Sequence, residues 1–255
     1  AIGMYAMQNV ETGSSNVAVG YEALKGTTGT DNDYNIAIGT ETLQAAAGAT
    51  QNVAIGYYAG RGNTTADYNV YIGSLAGMTG STATKNVAIG HEALRLNDTS
   101  NSNTAIGYGA LYNTITNGTN TALGQQAGYN NTTGAGNVFI GYQAGKNTDH
   151  DTESNKLVIA NTSTTTPLIE GDFSAGTLNI DGTLDSAGLF TAASGINVAG
   201  GTLTTPSLTM GVAVTEIKDE DNMASNSATM LATQQSIKAY VDASGGGGGS
   251  GTVTS

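Results

Sequence analysis

The sequence predicts an all-β chain, a parallel β-solenoid or β-roll of about nine 17-residue coils with a β-rich shaft and one short helix behind it. Three observations predict this class. A pentapeptide recurs at a fixed spacing through residues 1–154, the recurring positions show no 3.6-residue period, and the composition is unusual. The chain has 255 residues with 37 Gly, no Trp and only 6% aromatic residues, so its order depends on a repeat.

The repeated pentapeptide is Asn-Val-Ala-Ile-Gly, and we number each coil from its asparagine. Its copies are Asn16–Gly20, Asn35–Gly39, Asn52–Gly56, Asn69–Gly73, Asn86–Gly90, Asn103–Gly107, Asn120–Gly124 and Asn137–Gly141, which begin coils 1 to 8. A truncated copy opens the chain at Ala1–Gly3, and one coil carries a two-residue insertion. Self-similarity at this period is typical of stacked solenoid coils.

Each pentapeptide has the alternation of a short β-strand. The residue before the motif glycine is always apolar, and the residue two places earlier is Val, Ile or Thr. We expect these two columns to form the buried interior, because residues two apart share one face of a strand. The column between them is mostly Ala but includes Tyr71 and Phe139, so we expect it to face solvent or a cleft between subunits.

A second segment, Tyr-x-Ala-Leu/Gly, follows each pentapeptide and is expected to form a second short strand. Its last column contains leucines and glycines in consecutive pairs, which a shape-matched contact between layers would explain. We interpret the motif asparagines and glycines as coil corners, because both residue types tolerate positive φ, and stacked asparagines can form ladders. Representative corner residues are Asn52, Gly56, Asn86, Gly90, Asn103, Gly107, Asn120 and Gly124.

One coil buries too few apolar side chains to offset the conformational entropy lost by 17 ordered residues. Coils must therefore stack, and burial against other chains is expected as well. This reasoning predicts association but not the number of chains.

The sequence divides into four parts. Residues 1–154 form the β-solenoid repeat head, and residues 155–215 a short-strand β shaft whose sparse apolar residues call for intertwined chains. Residues 216–244 contain an acidic turn and a short trimerising helix, with a heptad-like seam at Met230, Ile237 and Val241. Residues 245–255 are a Gly-rich linker, which we expect to lead to a further C-terminal part of a longer polypeptide.

Composition disfavours several function classes. The net charge of −12 and the lack of a basic run argue against nucleic-acid binding. No apolar stretch reaches the length of a membrane span, so no membrane insertion is expected. The absence of Cys excludes disulfides and thiolate metal sites. We expect no cofactor.

No catalytic constellation is visible, so we expect no enzyme. His91 lies in a variable surface column, and His150 lies in an acidic loop. Asp149, His150 and Asp151 are weak candidates for a metal site, with a solvated loop as the favoured interpretation. A polysaccharide depolymerase would need two carboxylates in a groove, whereas the acids here lie in turns. Ice binding would need a solid threonine column, whereas the threonines cluster in turns and no such column is expected.

Two stretches carry a family resemblance. Asn103–Leu111 resembles the repeat of phage tail-fibre proteins, and Asn-Val-Ala-Ile-Gly is similar to the β-roll of trimeric autotransporter adhesin heads. Ala232–Asp242 and the Thr-Val-Thr-Ser that follows the glycines are similar to segments of marine phage tail fibres. The 17-residue period departs from the shorter period of the adhesins.

The resemblance implies a virion tail fibre that is a parallel homotrimer and attaches to a host cell. The alternative is the head of a bacterial trimeric adhesin on the cell surface, and less favoured readings are a depolymerase or a pure spacer. Implied partners are other tail proteins and a host surface glycan or outer-membrane protein. Since 11 of the 12 tyrosines lie in the head, we expect Tyr57, Tyr108 and Tyr142 to contact a receptor.

Overall fold

A computed structural model of the chain describes residues 1–147 and 150–185. These residues form a β-solenoid whose strands belong to one sheet in chain order. The strands are β1 (Val17–Val19), β2 (Ile36–Ile38), β3 (Val53–Ile55), β4 (Val70–Ile72), β5 (Val87–Ile89), β6 (Thr104–Ile106), β7 (Thr121–Leu123), β8 (Val138–Ile140), β9 (Lys156–Ile159), β10 (Ile169–Asp172) and β11 (Thr177–Ile180). The predicted β-solenoid is confirmed.

Strands β1 to β9 are parallel, and each pentapeptide lies in register with the next. Ala88 pairs with Ala105, for example, and Ile89 pairs with Ile106. Each coil contributes one strand of three residues rather than two strands. The second segment, predicted as a strand, forms turns instead, although its N–H groups still bond to the neighbouring coil, as from Leu94 N to Ala110 O at 3.0 Å.

The direction of the strand side chains is the reverse of the prediction. The middle residue of every pentapeptide points inward, and Ala88, Tyr71 and Phe139 are all fully buried. The two flanking columns point outward, so that Val17 is 47% and Leu123 is 49% exposed. The interior is narrow and fits alanine, which is why the larger β-branched residues lie outside.

The motif glycines permit the close stacking of the coils. Their φ values lie between 113° and 137°, a region that L side chains rarely adopt. A Cβ built on Gly90 would lie 2.5 Å from the carbonyl oxygen of Gly107 in the next coil. The motif asparagines do not have positive φ. Instead, the residue before each motif asparagine has positive φ, as Lys85 and Ser102 do.

The motif asparagines form a buried ladder along the solenoid. The backbone N–H of Asn86 donates to Oδ1 of Asn69 at 2.9 Å, and the N–H of Asn103 donates to Oδ1 of Asn86 at 2.9 Å. The side-chain Nδ2 of Asn86 donates to the carbonyl of Ser100 at 2.9 Å. Each rung therefore satisfies backbone groups in two coils, as buried polar groups require.

The interior contains two kinds of layer, which explain the pairs of leucines and glycines. In the leucine coils (coils 1, 2, 5 and 6), the inward strand residue is Ala and the second segment ends in a buried leucine: Leu24, Leu43, Leu94 or Leu111. In the aromatic pairs (coils 3–4 and 7–8), one ring lies against two glycines. A Cβ on Gly60 or Gly77 would lie 2.8 or 2.3 Å from the ring of Tyr71.

The same arrangement recurs in the second aromatic pair. A Cβ on Gly128 or Gly145 would lie 2.6 or 2.2 Å from the ring of Phe139. The glycines thus vacate the volume that the ring fills, and the expected shape-matched contact between layers is present.

The sheet continues past residue 154, where the sequence suggests a boundary. β9 pairs in parallel with β8, and β10 and β11 then run antiparallel. Nζ of Lys156 lies 3.0 Å from Oδ2 of Asp172, which joins β9 to β10. The rest of the proposed shaft, the helix with its seam at Met230, Ile237 and Val241, and the Gly-rich linker lie outside the described residues.

Candidate functional site

The most prominent surface feature is an apolar strip that we call the outward apolar face. It consists of the two outward strand columns, which contain only Val, Ile, Leu and Thr. The first column is Val17, Ile36, Val53, Val70, Val87, Thr104, Thr121 and Val138, and the second is Val19, Ile38, Ile55, Ile72, Ile89, Ile106, Leu123 and Ile140. Neither column contains a charged residue. These side chains are half-buried or exposed in the single chain.

The prediction from sequence placed these two columns in the interior and so missed this face, although the sizes of the residues in the three strand columns indicate it. The inward column is the one with the smallest residues, and the outward columns have the β-branched residues that favour strands. An interior narrow enough for Ala on consecutive strands cannot also hold Val and Ile.

The predicted receptor tyrosines share one column beside the outward apolar face. Tyr57, Tyr108 and Tyr142 each follow a motif glycine and are 49%, 43% and 47% exposed. Tyr57 stacks on Tyr58 with ring centroids 3.8 Å apart, and Tyr108 stacks on His91 at 5.4 Å. The structure therefore places them on one side of the rod but in separate coils.

Ion pairs occupy the neighbouring columns in coils 1, 2, 3 and 5. Glu22 pairs with Lys25 at 3.1 Å, and Glu92 pairs with Arg95 at 2.9 Å. The bond from Lys25 lowers the pKa of Glu22. In each pair the two charges neutralise each other within one coil.

Arg61 extends the same network to a neighbouring coil and a ring. It pairs with Glu41 of the preceding coil at 2.8 Å and lies over the ring of Tyr58. A hydrogen bond with Tyr57, together with burial and the Glu41 carboxylate, raises the pKa of Tyr58 to about 12. The phenol of Tyr58 is therefore neutral at physiological pH.

Coils 6 to 8 replace these ion pairs with aromatic and amide side chains. We call this patch the aromatic–amide surface, and define it by Tyr108, Tyr112, Gln126, Tyr129, Tyr142 and Gln143. Tyr112 and Tyr129 stack with centroids 4.7 Å apart. Burial raises the pKa of Tyr129, with the neighbouring Tyr112 as a further cause. Tyr129 is therefore also neutral at physiological pH.

The weak metal candidates do not form a site in the described part of the chain. His150 is buried, and its Nδ1 lies 2.9 Å from Oε2 of Glu153, which in turn lies 3.9 Å from Nζ of Lys156. This contact ties the last loop to β9. Asp149 lies outside the described residues, and within residues 1–147 and 150–185 no three acidic or histidine side chains are grouped to hold a metal ion.

Comparisons of the chain with protein-family models, curated proteins and solved structures give no match. Among the described residues, none belongs to a helix of the length and hydropathy needed to cross a bilayer. The functional argument therefore rests on the two surfaces described above.

Proposed function

We propose that this chain is a rigid, non-catalytic segment of a trimeric fibre, of the phage tail-fibre type, that contributes to attachment to a host-cell surface. The observation that carries the proposal is the outward apolar face. A water-exposed strip made mostly of Val and Ile along successive coils is costly for a single chain and is explained if other copies cover it.

The dimensions of the face support association. Eight parallel strands spaced about 4.8 Å apart give a strip about 34 Å long, and the two columns with their flanks make it about 10 Å wide. An apolar patch on the order of 350 Å², interrupted only by Thr104 and Thr121, has the size of the largest patches on soluble proteins, which are often functional. Parallel copies would also keep the strips in the same axial register, because all coils share one spacing.

The number three rests on the resemblance to tail fibres rather than on the face itself. Three parallel copies around an axis along the rod would bring the three strips together as a common core. The tyrosine column would then lie at the edge of that core, where it can reach a host surface.

The absence of Cys permits a direct test by cross-linking. We expect the 255-residue chain to sediment as a trimer. An Ile89→Cys variant, in the centre of the face, should form interchain cross-links with a short bis-maleimide, because equivalent positions of parallel copies meet at the axis.

A Thr82→Cys variant is the matched control, since Thr82 is exposed in the neighbouring coil but lies on the loop side of the rod. It should not cross-link under the same conditions. A monomeric wild-type chain at tens of micromolar, or equal cross-linking of the two variants, would refute assembly through this face.

A further inference from the structure

We propose that the aromatic–amide surface of coils 6 to 8 binds a neutral polysaccharide lying along the rod. This inference deepens the proposed attachment function and rests on it, because it assigns the contact to one surface and one class of ligand.

Tyr108 and Tyr142 of this surface are exposed, and the rings of Tyr108 and Tyr129 are held by stacking on His91 and Tyr112. Tyr108 and Tyr142 project at 43% and 47% exposure. Tyr129 lies over Gly109, where a Cβ would be 3.2 Å from the ring, so the glycine makes room for it. Rings fixed in advance lose little conformational entropy on binding.

The amide side chains are also preorganised and retain free groups. Nε2 of Gln143 donates to Oε1 of Gln126 at 2.8 Å, and Nζ of Lys146 donates to the same oxygen at 2.8 Å. Nε2 of Gln126 and Oε1 of Gln143 have no hydrogen-bond partner among the described residues. One donor and one acceptor are therefore available in adjacent coils, about 4.8 Å apart along the axis.

This combination suits a sugar better than a charged polymer. A pyranose ring offers an apolar face of C–H groups that can stack on tyrosine, and hydroxyl groups that both donate and accept hydrogen bonds to an amide. An anionic polymer would need several unpaired cations. Here Lys146 is already engaged with Gln126 and lies over the ring of Tyr129, and the chain has a net charge of −12.

Coils 1 to 5 provide an internal comparison. The same columns there contain Glu22, Glu41 and Glu92, each of which pairs with a Lys or Arg. Those polar groups satisfy one another, whereas the amides of coils 6 to 8 keep free groups. The tyrosines of coils 1 and 3 should therefore contribute less to binding than those of coils 6 and 8.

The test is affinity electrophoresis of the full chain in gels that contain dextran, galactomannan, hydroxyethyl cellulose or, as the anionic comparison, alginate. We expect at least one neutral polymer to retard the chain. Replacing Tyr108 and Tyr142 together by Ala should weaken that binding by about tenfold or more, as expected for aromatic contacts at the centre of a binding surface.

The matched control replaces Tyr34 and Tyr68 by Ala, since these tyrosines lie outside the tyrosine column and outside coils 6 to 8, at 60% and 55% exposure. Binding by this control should stay within about twofold of the original, as for surface changes away from a site. No retardation by any neutral polymer, retardation by alginate alone, or equal loss in the two variants would overturn the proposal. Sedimentation of the same samples separates this failure from a failure of assembly.

Discussion

The leucine coils and the aromatic pairs differ inside while their strand registers and the apolar character of their outward columns are alike. A leucine coil fills its interior with a strand alanine and a leucine from the second segment, as Ala88 and Leu94 do in coil 5. In an aromatic pair the large side chain comes from the strand instead of the second segment. The ring of Tyr71 fills the interior, and Gly60 and Gly77 have no side chain that would occupy the same space.

The comparison shows that a large inward residue is compensated by glycines in two adjacent coils rather than within one coil. A protein interior packs at nearly constant density, so a larger residue is tolerated only where its neighbours are smaller. The three-residue strand therefore accepts Ala, Tyr or Phe at its inward position without a change of register.

The largest predicted loss of stability comes from placing a leucine side chain next to an interior ring. Gly77→Leu would place side-chain atoms on Tyr71, so we expect a loss of about 3 kcal/mol or more in the free energy of unfolding. The backbone is not the obstacle, because Leu94 and Leu111 adopt φ of 50° and 49° at the equivalent position. Guanidinium denaturation followed by circular dichroism measures the loss.

A triple variant makes that comparison decisive. Gly60→Leu and Gly77→Leu combined with Tyr71→Ala would convert coils 3 and 4 into leucine coils, and should restore stability to within about 1 kcal/mol of the original. A triple variant no more stable than Gly77→Leu alone would show that the layers are not interchangeable.

A second, intermediate effect concerns the ladder that the two kinds of layer share. Asn69→Ala in an aromatic pair and Asn103→Ala in a leucine coil each remove the Oδ1 that accepts from the next asparagine N–H. Each should lower the free energy of unfolding by about 2–3 kcal/mol, because a buried N–H loses its partner. Denaturation midpoints measure both losses, and widely different values would show that the ladder depends on the layer beside it.

The smallest predicted change in stability concerns the one chemical difference between the two interior rings, the hydroxyl that Tyr71 has and Phe139 lacks. The hydroxyl of Tyr71 is buried without a hydrogen-bond partner among the described residues, so Tyr71→Phe should be neutral or stabilise by about 1 kcal/mol at pH 7. Burial raises the pKa of Tyr71, while the Asn86 side chain opposes the shift.

This pKa shift predicts a pH dependence with a definite sign. Above about pH 10 the unfolded chain loses the proton of Tyr71 while the folded chain keeps it, so the original chain loses stability as the pH rises. Tyr71→Phe removes that contribution, so its free energy of unfolding should fall less steeply between pH 10 and 11. Parallel curves for the two proteins would contradict this.

The repeat made the solenoid and the register of its strands predictable. Which face of each strand is buried could not be predicted, because period-2 alternation defines two faces without showing which one points inward. Hydrophobicity suggested that Val87 and Ile89 lie in the interior, whereas the interior contains Ala88, whose small side chain fits there. The second segment forms turns in which Glu92 has φ of 60° and Leu94 has φ of 50°. Glu and Leu rarely adopt positive φ, so the sequence did not indicate these turns and a strand was predicted instead.

The candidate surfaces were predictable in part. The exposed position of Tyr57, Tyr108 and Tyr142 could be inferred from a column that tolerates Ser, Gln and His. The stacking of Tyr112 on Tyr129 and the amide contacts of Gln126 could not, because they depend on which columns meet in space. The expectation of no threonine column was wrong for one loop position, which is an exposed threonine in five successive coils: Thr65, Thr82, Thr99, Thr116 and Thr133.

The pairing of one ring with two glycines also limits how such a chain can change its length. A leucine coil can be deleted or copied singly, because its neighbours lose no matching partner. Coil 3 cannot be deleted alone, since Tyr71 would then meet Leu43 instead of Gly60. Gene rearrangements that preserve folding should therefore delete or copy an aromatic pair as one unit of 34 residues, whereas a leucine coil of 17 residues, or 19 in coil 1, can be deleted or copied by itself.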